Sequence, residues 1–141
     1  REREDGYRLA MQEAGLADEI IIGRLPHHDT DAHVDSIVKM AVERGADAFL
    51  FATNTLAVQG MSAIVRNGYS IPEDFEVACF DRNDAFDIFD VELVYVDQPA
   101  KSFAAESMKS ISELIAGKVM NRTRIVLEPQ IIEAGTFRSR I

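Results

Sequence analysis

Apolar positions in this chain recur with two rhythms that take turns. Tyr7, Ala10, Met11 and Ala14 fall at i, i+3, i+4 and i+7, the spacing of one helix face, and Gly15 stands where a helix stop belongs. Residues 20–22, all Ile, form a short β-branched run ended by Gly23 and predict a buried strand. A second helix is predicted from Val34, Ile37, Val38, Ala41 and Val42, capped by Thr30 or Asp31 and stopped by Gly45. Residues 48–52 then predict a strand, and Leu56, Met61, Ile64 and Val65 a third helix running to Gly68. Pro72 biases its predecessor away from helix, so residues 71–74 read as a turn. Strands follow at residues 75–80 and 93–96. A helix over residues 101–116 carries Ala104, Met108, Ile111, Leu114 and Ile115 on one stripe, with Gly117 after it. Two short strands, 125–127 and 131–134, surround Pro129.

Strands that are apolar almost throughout, alternating with amphipathic helices, predict an α/β fold. The expected architecture is a three-layer α/β/α arrangement around a mostly parallel, Rossmann-like sheet. No repeat, low-complexity tract or linker interrupts it. The 141 residues suffice for one core without disulfides or metals as staples. The chain opens without Met and in mid-pattern, as a piece of a longer protein would.

Composition narrows the function classes. Apolar residues are 47% and charged residues 28%, ordinary for a globular domain, and no uninterrupted apolar stretch is long enough to span a bilayer. The charged opening of residues 1–5 is no signal peptide, and a single Cys79 suits a reducing cytoplasm. Fifteen Lys and Arg against 24 Asp and Glu give a net charge of −9, a poor general surface for a phosphate backbone. Direct nucleic-acid binding by these residues is therefore not expected.

In an open parallel sheet, ligands bind beyond the carboxyl ends of the strands. The polar residues at those places are His27 and His28, Asn54 and Thr55, Asp81 to Asp84, and Asp97 and Gln98. Asn, Asp and Gln exchange hydrogen bonds with hydroxyl groups, as a sugar or nucleoside requires. The same residue types also cap helices and build turns. His27, His28 and His33 with Asp29, Asp31 and Asp35 have metal-ligand chemistry but straddle a loop and a helix start without a fixed ligand register. They read as solvated loop and cap, and no metal is expected. Cys79, between Ala78 and Phe80, reads as a small buried hydrophobe. Asp81 and Asp84 as an acid–base pair have nothing to set their pKa values apart. With no G-x-G-x-x-G, Walker A or G-x-S-x-G pattern, neither catalysis nor a cofactor is expected.

Several motifs follow one another in a specific order. They are Arg3-x-x-Gly6-Tyr7 with Ala14-Gly15-Leu16, then Ala52-Thr53-Asn54 through Gly60, then Gly68-Tyr69-Ser70-Ile71-Pro72-Glu73-Asp74-Phe75-Glu76-Val77 with Phe80-Asp81. Val96-Asp97-Gln98-Pro99 and Leu127-Glu128-Pro129 leading to Arg138 complete the set. This order resembles the later half of the effector-binding, periplasmic-binding-protein-like (type I) region of LacI/GalR (lac-repressor/gal-repressor) transcriptional regulators. The resemblance implies effector contacts from Arg3, Asn54, Asp81 and Gln98. It implies that residues 1–97 are mainly the C-terminal subdomain. Residues 98–124 would be a hinge crossover and a helix belonging to the other subdomain, and residues 125–141 the closing strands. It also places a DNA-binding headpiece, the first subdomain and a strand before Arg3 outside these residues. The apolar stripe of 101–116 is then expected to pack back on the sheet or on a second copy. Thr55 stands where the family often has Asp, and Arg82 where it often has a second Asp. Arg82 raises the prospect of an anionic or phosphorylated effector.

The leading reading is a cytoplasmic, non-enzymatic sensing module that binds a sugar or sugar phosphate, pairs as a homodimer and reaches DNA only through a headpiece outside this chain. No membrane partner is expected. A sugar-binding transport receptor of the same fold is the alternative, and an enzyme is a third reading without a motif in its favour. The apolar residues Phe86, Ile88, Phe89 and Val91 are either a core plug or a contact patch, and an interface role is favoured.

Overall fold

The computed structural model describes residues 2–25, 31–89, 91, 93–118 and 124–133. Four helices and four strands are assigned within them. α1 spans Glu2–Glu13, α2 Asp31–Glu43, α3 Asn54–Arg66 and α4 Ala100–Ile115. β1 spans Ala48–Phe51, β2 Glu76–Phe80, β3 Val94–Asp97 and β4 Gln130–Glu133. The strands lie side by side in the order β1-β2-β3-β4. β1, β2 and β3 are parallel, with Phe51 beside Cys79 and Phe80 beside Val96. β4 joins β3 antiparallel, with Gln130 opposite Asp97. The α/β class and the mostly parallel sheet are therefore as the alternation of patterns predicts.

The core forms where the two most regular amphipathic helices meet the sheet. α2 buries Val34, Val38 and Ala41, and α3 buries Ala57, Met61, Ala63 and Ile64. These meet Val77 and Cys79 of β2, together with Ile71, Phe75, Phe86 and Leu93. Each large apolar side chain fully withdrawn from water contributes roughly 1.5–3 kcal/mol. α3 comes close to the strands because Gly60 has no side chain. A Cβ there would run into the Phe51 ring. Gly45 and Gly68 follow α2 and α3 at φ of +81° and +85°, a left-handed conformation that ends a helix at low cost for Gly.

Several expectations are corrected. Residues 20–22 form no strand, and among the described residues nothing pairs with them. A three-residue run has too few ladder bonds to hold strand geometry without a neighbouring backbone. It remains a half-buried irregular segment whose Gly23 lies against Ile37 of α2. Residues 125–127 are likewise irregular, and only the second closing segment is a strand.

The 84–91 segment is largely a core plug. It begins with a 3-10 turn over Asp84–Phe89, in which residues three apart share a face. Phe86 is thereby buried and Phe89 packs against the core, as does Val91, leaving Ile88 exposed at 83%.

α4 departs from the first of its two expected placements. It does not pack back on the sheet, and none of its residues is buried. Phe103, Met108, Ile111, Leu114 and Ile115 all face outward, whereas Glu106, Ser107, Ser110 and Glu113 are its half-buried positions.

Candidate functional site

The parallel strands end at Phe51, Phe80 and Asp97, and the chain turns polar within two residues of each. Beyond β1, Thr53 takes the capping role for α3, its Oγ1 accepting a 3.2 Å bond from the Leu56 backbone N–H. Asn54 is thus released from capping. Its Nδ2 donates across to the Arg82 carbonyl at 3.2 Å, and its Oδ1 accepts from the Thr55 hydroxyl at 3.4 Å.

Beyond β2, Asp81 adopts φ +65° while its backbone N–H still donates to the Val96 carbonyl at 2.9 Å. Asp is among the few side chains that enter this left-handed region readily, and such conformations gather at functional positions. Beyond β3, Gln98 Nε2 donates to both carboxylate oxygens of Asp81, at 2.7 and 2.8 Å. A carboxylate offers about four acceptor sites, so Asp81 keeps capacity for further donors. Asn83 has the plain turn role, its Oδ1 accepting from the Ala85 N–H at 2.9 Å.

Arg3 joins this edge from α1. Its guanidinium donates to the Ala52 carbonyl and lies 4.2 Å from the centre of the Phe80 ring, a cation–π contact. Glu4 ties the same helix turn to the 20–25 segment by a 2.6 Å bond to Arg24 and meets Arg8 within α1 at 3.1 Å. Arg24 first and Arg8 second lower the Glu4 pKa.

Arg82, by contrast, is held by its own loop. Nη1 meets Asp84 at 2.7 Å and Nη2 meets Asp87 at 2.6 Å. Asp87 is the larger cause of the raised Arg82 pKa and Asp84 the smaller. Asp84 is therefore engaged with Arg82 rather than poised beside Asp81 as an acid–base partner.

Under this edge Cys79 is buried, its thiol pushed up to about 11 by burial first and by the Asp81 charge second. At that value it stays a thiol, which agrees with a packing role. Among the described residues no group of three or more His, Cys, Asp and Glu could hold a metal ion. His27, His28, Asp29 and Thr30 lie outside the described residues. No helix among those residues is long and apolar enough to cross a membrane.

The four residues singled out from the sequence thus meet through short links. Arg3 reaches the ends of β1 and β2, Asn54 reaches the Asp81–Arg82 turn, and Gln98 reaches Asp81. Sequence reasoning missed Phe80 as the platform under Arg3 and the pairing of Arg82 with Asp84 and Asp87. Acidic residues two and five positions after Arg82 were the available signal for the latter.

Residues 1–137 match the family described as periplasmic binding protein-like domain. The chain is 30% identical over 141 residues to the HTH-type transcriptional repressor PurR of Vibrio atlanticus (strain LGP32), covering 98% of this chain and 42% of that protein. It therefore spans less than half the length of that repressor and of the other PurR relatives it matches. A regulatory protein of the LacI family from Chloroflexus aggregans superposes with a TM-score of 0.76 at 25% identity, over 94% of this chain and 48% of that one. A periplasmic binding protein/LacI transcriptional regulator from Alkaliphilus metalliredigens QYMF, complexed with D-xylulofuranose, superposes with a TM-score of 0.78 at 20% identity, over 97% and 51% of the two chains. Sequence order, sheet topology and these likenesses converge: the chain belongs to the periplasmic binding protein-like domain family, in the form it shares with LacI-family transcriptional regulators.

Proposed function

We propose that this chain is the effector-binding part of a LacI-type transcriptional regulator and that its strand-end cluster reads the hydroxyl groups of a sugar or sugar phosphate. The observation that carries this reading is the convergence of Arg3, Asn54, Asp81 and Gln98 on one edge of the sheet. Asp81 supplies acceptors, Asn54 a donor and an acceptor, and Arg3 a charged donor held over Phe80, the mixture that a ring of hydroxyls requires. D-Xylulofuranose in the structural relative is a ligand of that chemistry.

Gln98 stands between β3 and α4, where residues 98–124 cross toward a second subdomain of the complete protein. An effector held at Asp81 and contacted by that subdomain stabilises a closed arrangement and shifts the balance between two states. The complete regulator pairs as a homodimer in the cytoplasm, carries out no catalysis and contacts DNA through a headpiece outside this chain. The regulator names of the relatives support this over a transport receptor.

The test is a thermal-shift screen of the full-length protein against neutral sugars and sugar phosphates, repeated on Asp81→Ala. At least one ligand is expected to raise the melting temperature in a saturable manner. Removing a charged hydrogen-bond partner should weaken it by about 1.5–3 kcal/mol, roughly 10- to 100-fold. A ligand shift unchanged in Asp81→Ala would overturn the assignment of the site.

A further inference from the structure

An accessible guanidinium directly after Asp81 would be a natural partner for a phosphate or carboxylate, because its planar fork binds such groups in a bidentate manner. Arg82 has that position, but the two ends of its fork are already taken. Asp84 holds Nη1 and Asp87 holds Nη2, through separate carboxylates approaching from the same 3-10 turn. The Arg82 carbonyl is used as well, accepting from Asn54. The other cation of the edge, Arg3, is turned onto the Ala52 carbonyl and the Phe80 ring. Among the described residues of the 81–87 turn together with Arg3, three carboxylates, Asp81, Asp84 and Asp87, stand against two guanidinium groups, those of Arg3 and Arg82.

We propose that Asp84 and Asp87 are specificity-determining residues: by occupying the Arg82 guanidinium they favour an uncharged polyhydroxyl ligand over its phosphorylated counterpart. The inference rests on the strand-end cluster being the effector site. A neutral hydroxyl needs only to donate to the remaining lone pairs of Asp81. A phosphate must enter a field of three carboxylates and take Arg82 from two of them. Each ion pair is solvent-facing, with the Asp84 side chain 98% exposed, so neither contributes much stability alone. Their effect is on selection, because like charge placed against an incoming anion discriminates without tightening the preferred complex.

The exposure of both aspartates permits their removal without disturbing the core. Full-length wild type and Asp84→Asn/Asp87→Asn are titrated with inorganic phosphate, ribose, ribose 5-phosphate, glucose and glucose 6-phosphate, with heat and melting temperature as readouts. Wild type is expected to favour a neutral sugar over its phosphate and to show no Arg82-dependent phosphate binding. The double variant should gain about tenfold in affinity for inorganic phosphate or a sugar phosphate. Adding Arg82→Gln should abolish that gain. Tighter binding of a sugar phosphate than of the parent sugar by wild type would overturn the proposal, as would a double variant that gains nothing. If no sugar binds wild type while the variant gains Arg82-dependent phosphate binding, the aspartate screen stands and sugar sensing by these probes falls.

Discussion

At the scale of single residues, Asp81 combines a left-handed backbone with a carboxylate that both Gln98 and the thiol below respond to. Cys79 offers a direct reading of that environment. Its folded pKa, about 11, lies above the 9.0 of an ordinary thiol, so the unfolded chain loses this proton first as pH rises. Below about pH 9 both states keep the proton and the group is neutral in its effect. Between about 9 and 11 the unfolded state binds fewer protons, and stability should fall across that window. Urea midpoints at about pH 8 and about pH 10 check this. The decline should be shallower in Cys79→Ala, and equal slopes in the two proteins would refute it. That Arg3, Asn54, Asp81 and Gln98 lie on one edge of the sheet was legible from strand-end position and motif order, both properties of chain order. The platform under Arg3 was not, since it depends on an edge contact that no periodicity encodes, and the partners of Arg82 left only their spacing as a signal, because a 3-10 turn sets their directions.

At the scale of elements, α2 and α3 were legible from a period that matches one buried face, and β2 and β3 from short, nearly continuous apolar runs. Residues 20–22 have strand composition but no strand partner among the described residues, and partnering is not a local property. α4 is the converse case, in which the period is right and nothing among the described residues buries it. The two kinds of helix should respond oppositely to the same chemical change. Ile64→Ala removes a fully buried side chain of α3 and should cost about 2–5 kcal/mol of unfolding free energy. Leu114→Ala in α4 removes one that is 60% exposed and should stay within about 0.5 kcal/mol in this chain. Denaturant titrations of the two variants measure both values, and a Leu114 effect as large as that of Ile64 would show that α4 is covered after all.

At the scale of the whole molecule, the formal charge of −9 coexists with a continuous apolar stripe that includes Phe103 at 67% and Ile115 at 83% exposure. Patches of this kind take up hydrophobic dyes and partners. This chain alone is therefore expected to enhance ANS fluorescence in its folded state, and Phe103→Ser with Ile115→Ser should remove most of the signal. An unchanged signal would place the dye elsewhere. The path of the chain gives α4 a mechanical property as well. It leaves the sheet after Asp97 and returns at Gln130, and these two residues face each other on one rung of the β3–β4 ladder. The two ends of the excursion thus lie together at one edge of the sheet, with Gln98 at its foot and Asp81 within hydrogen-bond reach. A 16-residue helix is roughly 24 Å long. Set on such a mount it is a lever, and a tilt too small to disturb the bonds at the foot sweeps the far end through a displacement many times larger.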